Sequence, residues 1–361
     1  MRLKDQLIKP PLGFVNHYLG WRNWSVLTYN SAIENVFPIF YIALYDRLFS
    51  FRFIIDFFAF FLFSVLSTTY GYLINDFSDR DLDRSHGKAN TFADDSPLKA
   101  ALIVAFFLAL SVVFGSNFVG KQHFLPLWLG WFFIATFYSL RPIRLKERGK
   151  IGLAFVVVAQ RVVPTLIVFA AFTHWDPITV FVFTLYMLFR GLSSDVNHQL
   201  EDYHKDLVTG TRTCAVQSGF EATSKLFRLS LEMEKVLLFF CLFLMYLKLT
   251  TYRAFGVSLA LPPLVVYAVL VVTAWIRARG KGTDADINPF APGRKDLFQF
   301  LHHGFPSVAL PLYLLFLLIL ESWVFFAILI FFIAYRRLYS AELVLNSFPA
   351  RMLRRVFAIL H

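Results

Sequence analysis

The stretch Asn75-Asp76-Phe-Ser-Asp79-Arg-Asp-Leu-Asp83 follows directly on an apolar run from Phe53 to Ile74. That run is long enough to cross a bilayer as a helix, which takes about 20 apolar residues. If the helix continues past the run, Asp76, Asp79 and Asp83 share one stripe and Asp81 points away from it. Carboxylates so arranged repel one another unless hard cations sit among them, and Mg²⁺ is commonly held by one or two carboxylates plus substrate phosphate oxygens. A solvated acidic helix end, balanced by Arg80 and Arg84, is the plainer reading of the stretch taken alone.

Composition sets the surroundings. Of 361 residues, 57% are hydrophobic, 44 are Phe and only 16% are charged, and the mean hydropathy is +0.58. Soluble domains average about 25% charged residues. The chain therefore reads as an all-α, polytopic transmembrane helix bundle. The net charge of +11 does not point to nucleic acid, because the basic residues sit in short loops between apolar runs, where they act as topology signals.

Ten runs have the character of spans: roughly 25 to 45, 53 to 76, 97 to 118, 123 to 140, 151 to 173, 177 to 199, 231 to 249, 255 to 276, 297 to 319 and 322 to 341. Lys and Arg crowd every second loop, as in Arg141, Arg144, Lys146, Arg148 and Lys150, whereas Thr173 to Pro177 holds none. By the positive-inside rule the N-terminus and the heavily charged loops are expected to be cytoplasmic. Phe305 to Tyr335 reads either as one long span, for nine in all, or as a hairpin turning near Glu321, for ten; the hairpin keeps the C-terminal arginines inside. His174 and His302-His303 lie near span boundaries and are expected at the interface, and Pro38, Pro164 and Pro306 are expected to kink their helices. Met1 to Trp24 lacks the apolar core of a signal peptide and is expected to lie on the membrane surface. Cys214 and Cys241 are too few for a disulfide framework and are expected to be packing residues.

A second acidic stretch follows the sixth run. It reads Asp195-Val-Asn-His198-Gln199-Leu-Glu-Asp202-Tyr-His-Lys205-Asp206-Leu-Val-Thr-Gly210-Thr-Arg212-Thr213. On one continuous helix Asp195, His198, Gln199, Asp202 and Asp206 would share a stripe, with Gly210 ending it. The stretch lies four runs after the first and so on the same side of the membrane. Two facing acidic stripes can hold two cations across one diphosphate, and intramembrane ionisable groups commonly mark a substrate path.

Asn75-Asp76-x-x-Asp79-x-x-x-Asp83 resembles the first aspartate-rich motif of the UbiA-type intramembrane prenyltransferases, and Asp202-x-x-x-Asp206-x-x-x-Gly210 with Thr213 resembles their second. Tyr138-Ser-Leu-Arg141-Pro142-Ile-Arg144-Leu-Lys146, with Gly152 beyond, is similar to their Tyr-Ser-x-Pro-Pro-x-Arg-Leu-Lys segment. The resemblance implies a transmembrane bundle around a central cavity with cytoplasmic cap loops, over about residues 25 to 320; residues 1 to 24 form an interfacial segment, and 321 to 361 an added apolar segment with a basic tail. It implies Mg²⁺, two ions, held by Asp76, Asp79, Asp83, Asp202 and Asp206. Asn75, Tyr138, Arg144 and Lys146 would bind the isoprenoid diphosphate donor, with Lys88, Lys205 and Arg212 as further contacts. The second substrate would be a lipophilic or aromatic acceptor, and the whole would sit in membrane lipid. Bound metal, Lys and Arg stabilise charge on the departing diphosphate, and Phe-rich walls keep water from the allylic cation.

The chain departs from the pattern in three places: His198-Gln199 stands where many relatives carry a further acid, Lys88-Ala-Asn90-Thr91 stands for a common Arg-Pro, and Leu140-Arg141 replaces part of the Pro-Pro. These leave the metal-diphosphate half intact and open the acceptor half, for which His198 and Asp195 are the candidates. Two other functions fit in part. Asp83-Arg-Ser-His86-x-Lys88 is loosely similar to the branch that transfers phosphoribose onto a polyprenyl phosphate. A transporter or divalent-cation channel would also use inward acid stripes, yet the outer halves of the spans are nearly all Phe, Leu, Ile and Val.

Overall fold

The structure, a computed structural model, describes residues 10–20, 36–85, 87–279 and 287–360. The first part of the expected span at 25 to 45, and His86, lie outside the described residues. Among the described residues the regular structure is helical apart from one small antiparallel hairpin, Arg253–Ala254 with Val257–Ser258.

In chain order the helices are α1 (Pro10–Gly20), α2 (Val36–Tyr45), α3 (Phe51–Ser85), α4 (Pro97–Phe118), α5 (Phe124–Ser139), α6 (Lys150–Ala171), α7 (Pro177–Glu201), α8 (Tyr203–Thr209), α9 (Cys214–Ser218), α10 (Phe220–Lys248), α11 (Leu261–Arg279), α12 (Leu297–Glu321), α13 (Trp323–Tyr335), α14 (Ala341–Leu345) and α15 (Phe348–Leu360). Six of them, α3, α4, α6, α7, α11 and α12, are long and apolar enough to cross a membrane, while α2, α5 and α13 are shorter apolar helices.

Local chemistry explains the boundaries. Ser96 caps α4 by accepting from the Lys99 N–H, and Asp176 caps α7 by accepting from the Thr179 N–H, each followed by proline in the first turn; proline suits that position because the N–H it lacks would be orphaned anyway. The long final apolar region divides where the acid stands: α12 stops at Glu321, and Ser322 turns extended before α13 begins. Pro164 and Pro306 lie beside or within π-helical segments, Val158–Val162 and Phe300–Ala309, where the usual ladder of bonds is already shifted.

The chain forms two compact units, one from Met1–Asn35, Asp56–Thr173 and Lys205–Gln217, the other from Val36–Ile55, His174–His204 and Ser218–His361. In the first, aromatic rings interlock: Phe63 meets Phe60, Phe124 and Trp128 at centroid distances of 5.8, 5.3 and 5.4 Å. Ser67 and Ser111, both buried, pair at 2.6 Å.

The second unit encloses charge. Arg190 of α7 is buried and donates to Glu234 of α10 at 2.9 Å; Ser193 donates to the other Glu234 oxygen, and His302 Nδ1 lies 2.8 Å from it. His302 and His174, expected near span boundaries, both make carboxylate contacts: His302 is buried on Glu234, and His174, in the loop between α6 and α7, is buried against Asp46 at 2.8 Å. Glu234, a buried carboxylate within an apolar bundle, needs such donors, which draws His302 inward. Cys214 and Cys241 are buried, as packing residues are.

Candidate active site

The first acidic stretch is helical throughout. α3 runs on to Ser85, so Asp76, Asp79 and Asp83 do lie on one stripe. Asp81 points away: its side chain is 81% exposed and pairs with its neighbour Arg80. The stripe is inside the protein surface, with Asp76 only 1% exposed.

Each carboxylate meets a set of donors. Asp76 Oδ2 accepts from the Thr91 hydroxyl at 2.5 Å and from the Thr91 N–H at 3.4 Å. Asn90 Nδ2 donates to the Asp76 carbonyl at 2.9 Å and to Asp83 Oδ2 at 2.8 Å, while its own Oδ1 accepts from the Phe92 N–H. The loop after α3 thus folds back along the acids. Arg84 fastens it by donating to the Ala93 carbonyl at 2.7 Å, and α1 rests on its other side: His17 Nε2 lies 3.1 Å from the Thr91 carbonyl, and the Tyr18 hydroxyl donates to Asp95.

Asp79 takes cations. Arg144 Nη2 reaches Oδ1 at 3.1 Å and Lys146 Nζ binds Oδ2. Lys146 also donates to Asn75 Oδ1 at 3.1 Å. Ser139, at the end of α5, joins the two sides: its hydroxyl donates to Asn75 Oδ1 at 2.6 Å, and its carbonyl accepts from Ser78 and from Arg144 Nη1. Tyr138 lies half-buried beside it.

The turn that carries these cations is tightly built. Arg144 has φ +44°, left-handed backbone that non-glycine residues seldom adopt. Its guanidinium is also bound by Glu147, so the side chain fixes a backbone that costs about 1 kcal/mol or more to hold. Gly152 lets α6 pass under the turn, since a Cβ there would lie 2.6 Å from the Leu145 carbonyl oxygen. Gly149 has φ +58°; its N–H donates to the Arg212 carbonyl at 3.0 Å, and it bridges Thr213, so the end of the second acidic stretch is clamped to the turn.

Electrostatics separates the two cations. Burial pushes the Lys146 ammonium below the ordinary lysine value, and Asp79 only partly restores it. Burial also works against the Arg144 charge, but the Glu147 hydrogen bond and the Asp79 charge outweigh it, and that guanidinium lies above its ordinary value.

The second acidic stretch differs from its expected form. The helix does not run unbroken from Asp195 to Gly210: α7 ends at Glu201, Asp202 caps it, and α8 carries Asp206. One continuous helix through all five side chains is therefore corrected to the end of the long α7, carrying Asp195, His198 and Gln199, and the short α8, carrying Asp206, joined at Asp202. Gly210 does end α8, at φ +68°, with the Thr211 N–H reaching the Asp206 carbonyl and the Gly210 N–H reaching Leu207, a left-handed helix stop. Asp202, His198 and Asp195 belong to the second unit and Asp206, Lys205 and Arg212 to the first. His198 is 70% exposed, 3.8 Å from Glu201. Lys88, Lys205 and Arg212 are exposed.

Asn90, Thr91, Ser78 and Ser139 complete the cluster, and none of them stands out as a site residue in the sequence. A signal for the first two was present: buried carboxylates demand donors, and the loop following the stripe offers Asn90 and Thr91.

The UbiA prenyltransferase family model matches residues 35–291, and the chain belongs to that family. Helices of this length and apolarity make it an integral membrane protein. Among solved structures, it is similar to a UbiA homolog from Archaeoglobus fulgidus. The form bound to GPP and Mg²⁺ is 18% identical, with a TM-score of 0.53 over 84% of this chain and 99% of that one. The form bound to DMAPP and Mg²⁺ is 19% identical, with a TM-score of 0.51 over 80% and 98%. At this identity the likeness is one of fold. A comparison with curated protein sequences finds no match.

Proposed function

We propose that this chain transfers a polyprenyl group from its diphosphate to an apolar or aromatic acceptor within the membrane, using Mg²⁺ and releasing diphosphate. The observation that carries the reading is the cluster of Arg144 and Lys146 on Asp79, which sets two cations among the acids of the first motif. The homolog from Archaeoglobus fulgidus bound to GPP or DMAPP with Mg²⁺ supports the same donor class and metal.

The donor set suits the ion. Among the described residues no three His, Cys, Asp or Glu side chains form a closed metal cage; Mg²⁺ instead favours one or two carboxylates completed by water and phosphate oxygens. Asp76, Asp79 and Asp83, with Asp202 and Asp206 of the second motif, would hold two ions. Bound there, they would neutralise charge on the leaving diphosphate.

The chain's own groups do the rest. Arg144 and Lys146 move their hydrogen bonds from Asp79 to diphosphate oxygens, with Asn75 and Tyr138 beside them and Lys88, Lys205 and Arg212 as outer contacts. The allylic C–O bond breaks with its electron pair leaving on diphosphate, the acceptor supplies the pair for the new bond, and the acceptor proton passes to a base. His198 and Asp195 are the candidates for that base.

The test gives purified protein either a radiolabelled polyprenyl diphosphate, or radiolabelled phosphoribosyl diphosphate with a polyprenyl phosphate, each with extracted membrane lipid. Label should enter lipid product only from the first, and only with Mg²⁺. Transfer from the second would replace this reading with phosphoribosyl transfer.

A further inference from the structure

The last part of the chain plays no role in the site described above. α13 ends at Tyr335, Arg337 turns the backbone at φ +54°, and the short α14 and the longer α15 follow. From residue 322 onward the sequence carries five arginines and one acid, Glu342.

This segment exposes large apolar side chains together with that charge. Tyr339, Leu343 and Leu345 are 71%, 50% and 52% exposed, and Leu353 and Phe357 are 59% and 60% exposed. On α15, Phe348, Met352, Leu353 and Phe357 fall along one arc of the helix, and Arg351 and Arg354 share the remainder. Two contacts hold the pair of helices in place: Arg354 donates to the Leu345 carbonyl, joining α15 to α14, and the Phe348 ring packs 5.3 Å from Phe300 of α12.

A helix of 13 residues is too short to span a bilayer, and one that divides into apolar and basic arcs is built to lie in the interface. Water is the wrong neighbour for Leu353 and Phe357, and acyl chains alone are the wrong neighbour for Arg351 and Arg354. A second copy of the same surface fits poorly, because a twofold pairing sets arginine against arginine with only Glu342 to answer.

We propose that α14 and α15 form an interfacial platform that binds anionic phospholipid headgroups. The apolar arc enters the headgroup boundary while Arg351 and Arg354, with Arg336 and Arg337 at the end of α13, meet phosphate charge. The platform is independent of the reaction assigned to the acidic motifs.

The experiment uses the full chain in lipid nanodiscs at one copy per disc, of phosphatidylcholine alone or mixed with phosphatidylglycerol, and follows amide hydrogen exchange over residues 341 to 360. Phosphatidylglycerol should slow exchange there by roughly tenfold, an effect that high salt removes. An Arg351→Gln/Arg354→Gln double variant should lose that response, whereas Arg351→Lys/Arg354→Lys, which keeps the charge without the guanidinium tie to Leu345, should retain it; loss in both alike would mean that the arginines act only by holding α15 on α14 and would overturn the proposal. Equal exchange in both lipids, or protection that appears only with two copies per disc, would overturn the proposal.

Discussion

The Thr91 hydroxyl donates to Asp76 Oδ2 at 2.5 Å, tying the most buried acid of the first motif to a loop fifteen residues further along the chain. Asn90, its neighbour, reaches both Asp76 and Asp83. Thr91 thus holds the Asp76 carboxylate, and Asn90 holds the Asp76 carbonyl and the Asp83 carboxylate, with neutral donors.

Thr91→Val keeps the shape of the side chain and deletes the donor. A buried carboxylate that loses a hydrogen bond costs about 1–3 kcal/mol. We expect a lower unfolding temperature in detergent at neutral pH and a shifted Mg²⁺ dependence of turnover. Asn90→Ala should shift that dependence too, since it releases the Asp83 carboxylate and the Asp76 carbonyl. A Mg²⁺ titration of prenyl transfer for both variants checks this, and unchanged titrations would mean the loop does not position the acids.

Lys146 and Arg144 share Asp79 but are not equivalent. Lys146→Met should raise KM for the prenyl diphosphate by roughly tenfold or more, as loss of one charged hydrogen bond of about 1.5–3 kcal/mol implies. Arg144→Lys should be damaging too, because a lysine cannot bind Asp79, Glu147 and the Ser139 carbonyl with one planar fork. Steady-state kinetics of the two variants separate these effects.

The pH dependence follows from burial of Lys146. Its pKa lies below the ordinary lysine value, burial being the main cause and Asp79 a partial counterweight. A lowered lysine pKa means the ammonium is lost at a lower pH than usual, so kcat/KM should fall on the alkaline side before a free lysine would titrate. That limb reports the free enzyme, and Lys146→Arg should move it upward. A wild-type profile flat through the lysine range would contradict the assignment.

Gly152→Ala tests the turn itself. The added Cβ would meet the Leu145 carbonyl 2.6 Å away and the Lys146 carbonyl at 3.2 Å, and backbone there must shift, at about 1–3 kcal/mol. We expect a weaker form of the Lys146→Met defect in KM, with kcat less affected.

Much of this was legible in the residues. The acid spacing identified one face of α3 and set Asp81 apart from it, and the basic Tyr138 to Lys146 segment led to the Arg144 and Lys146 cluster. The position of the helix break at Asp202 was not legible, because Asp195 to Asp206 carries neither Gly nor Pro to mark it and its weak helix formers are spread along the whole stretch. Nor was the burial of His302, which depends on a partner, Glu234, 68 residues away in the chain. Asn90 and Thr91 were visible only as a departure from a family pattern; their role rests on a folded loop that no periodicity encodes.

The most direct test of the central claim is transfer of a radiolabelled polyprenyl chain by purified wild-type, Asp76→Ala and Asp202→Ala proteins, with and without Mg²⁺, alongside size-exclusion profiles that report folding. Transfer by the wild type with Mg²⁺ alone, and none by either folded variant, is the result predicted. Undiminished, Mg²⁺-independent transfer by either variant would contradict the account.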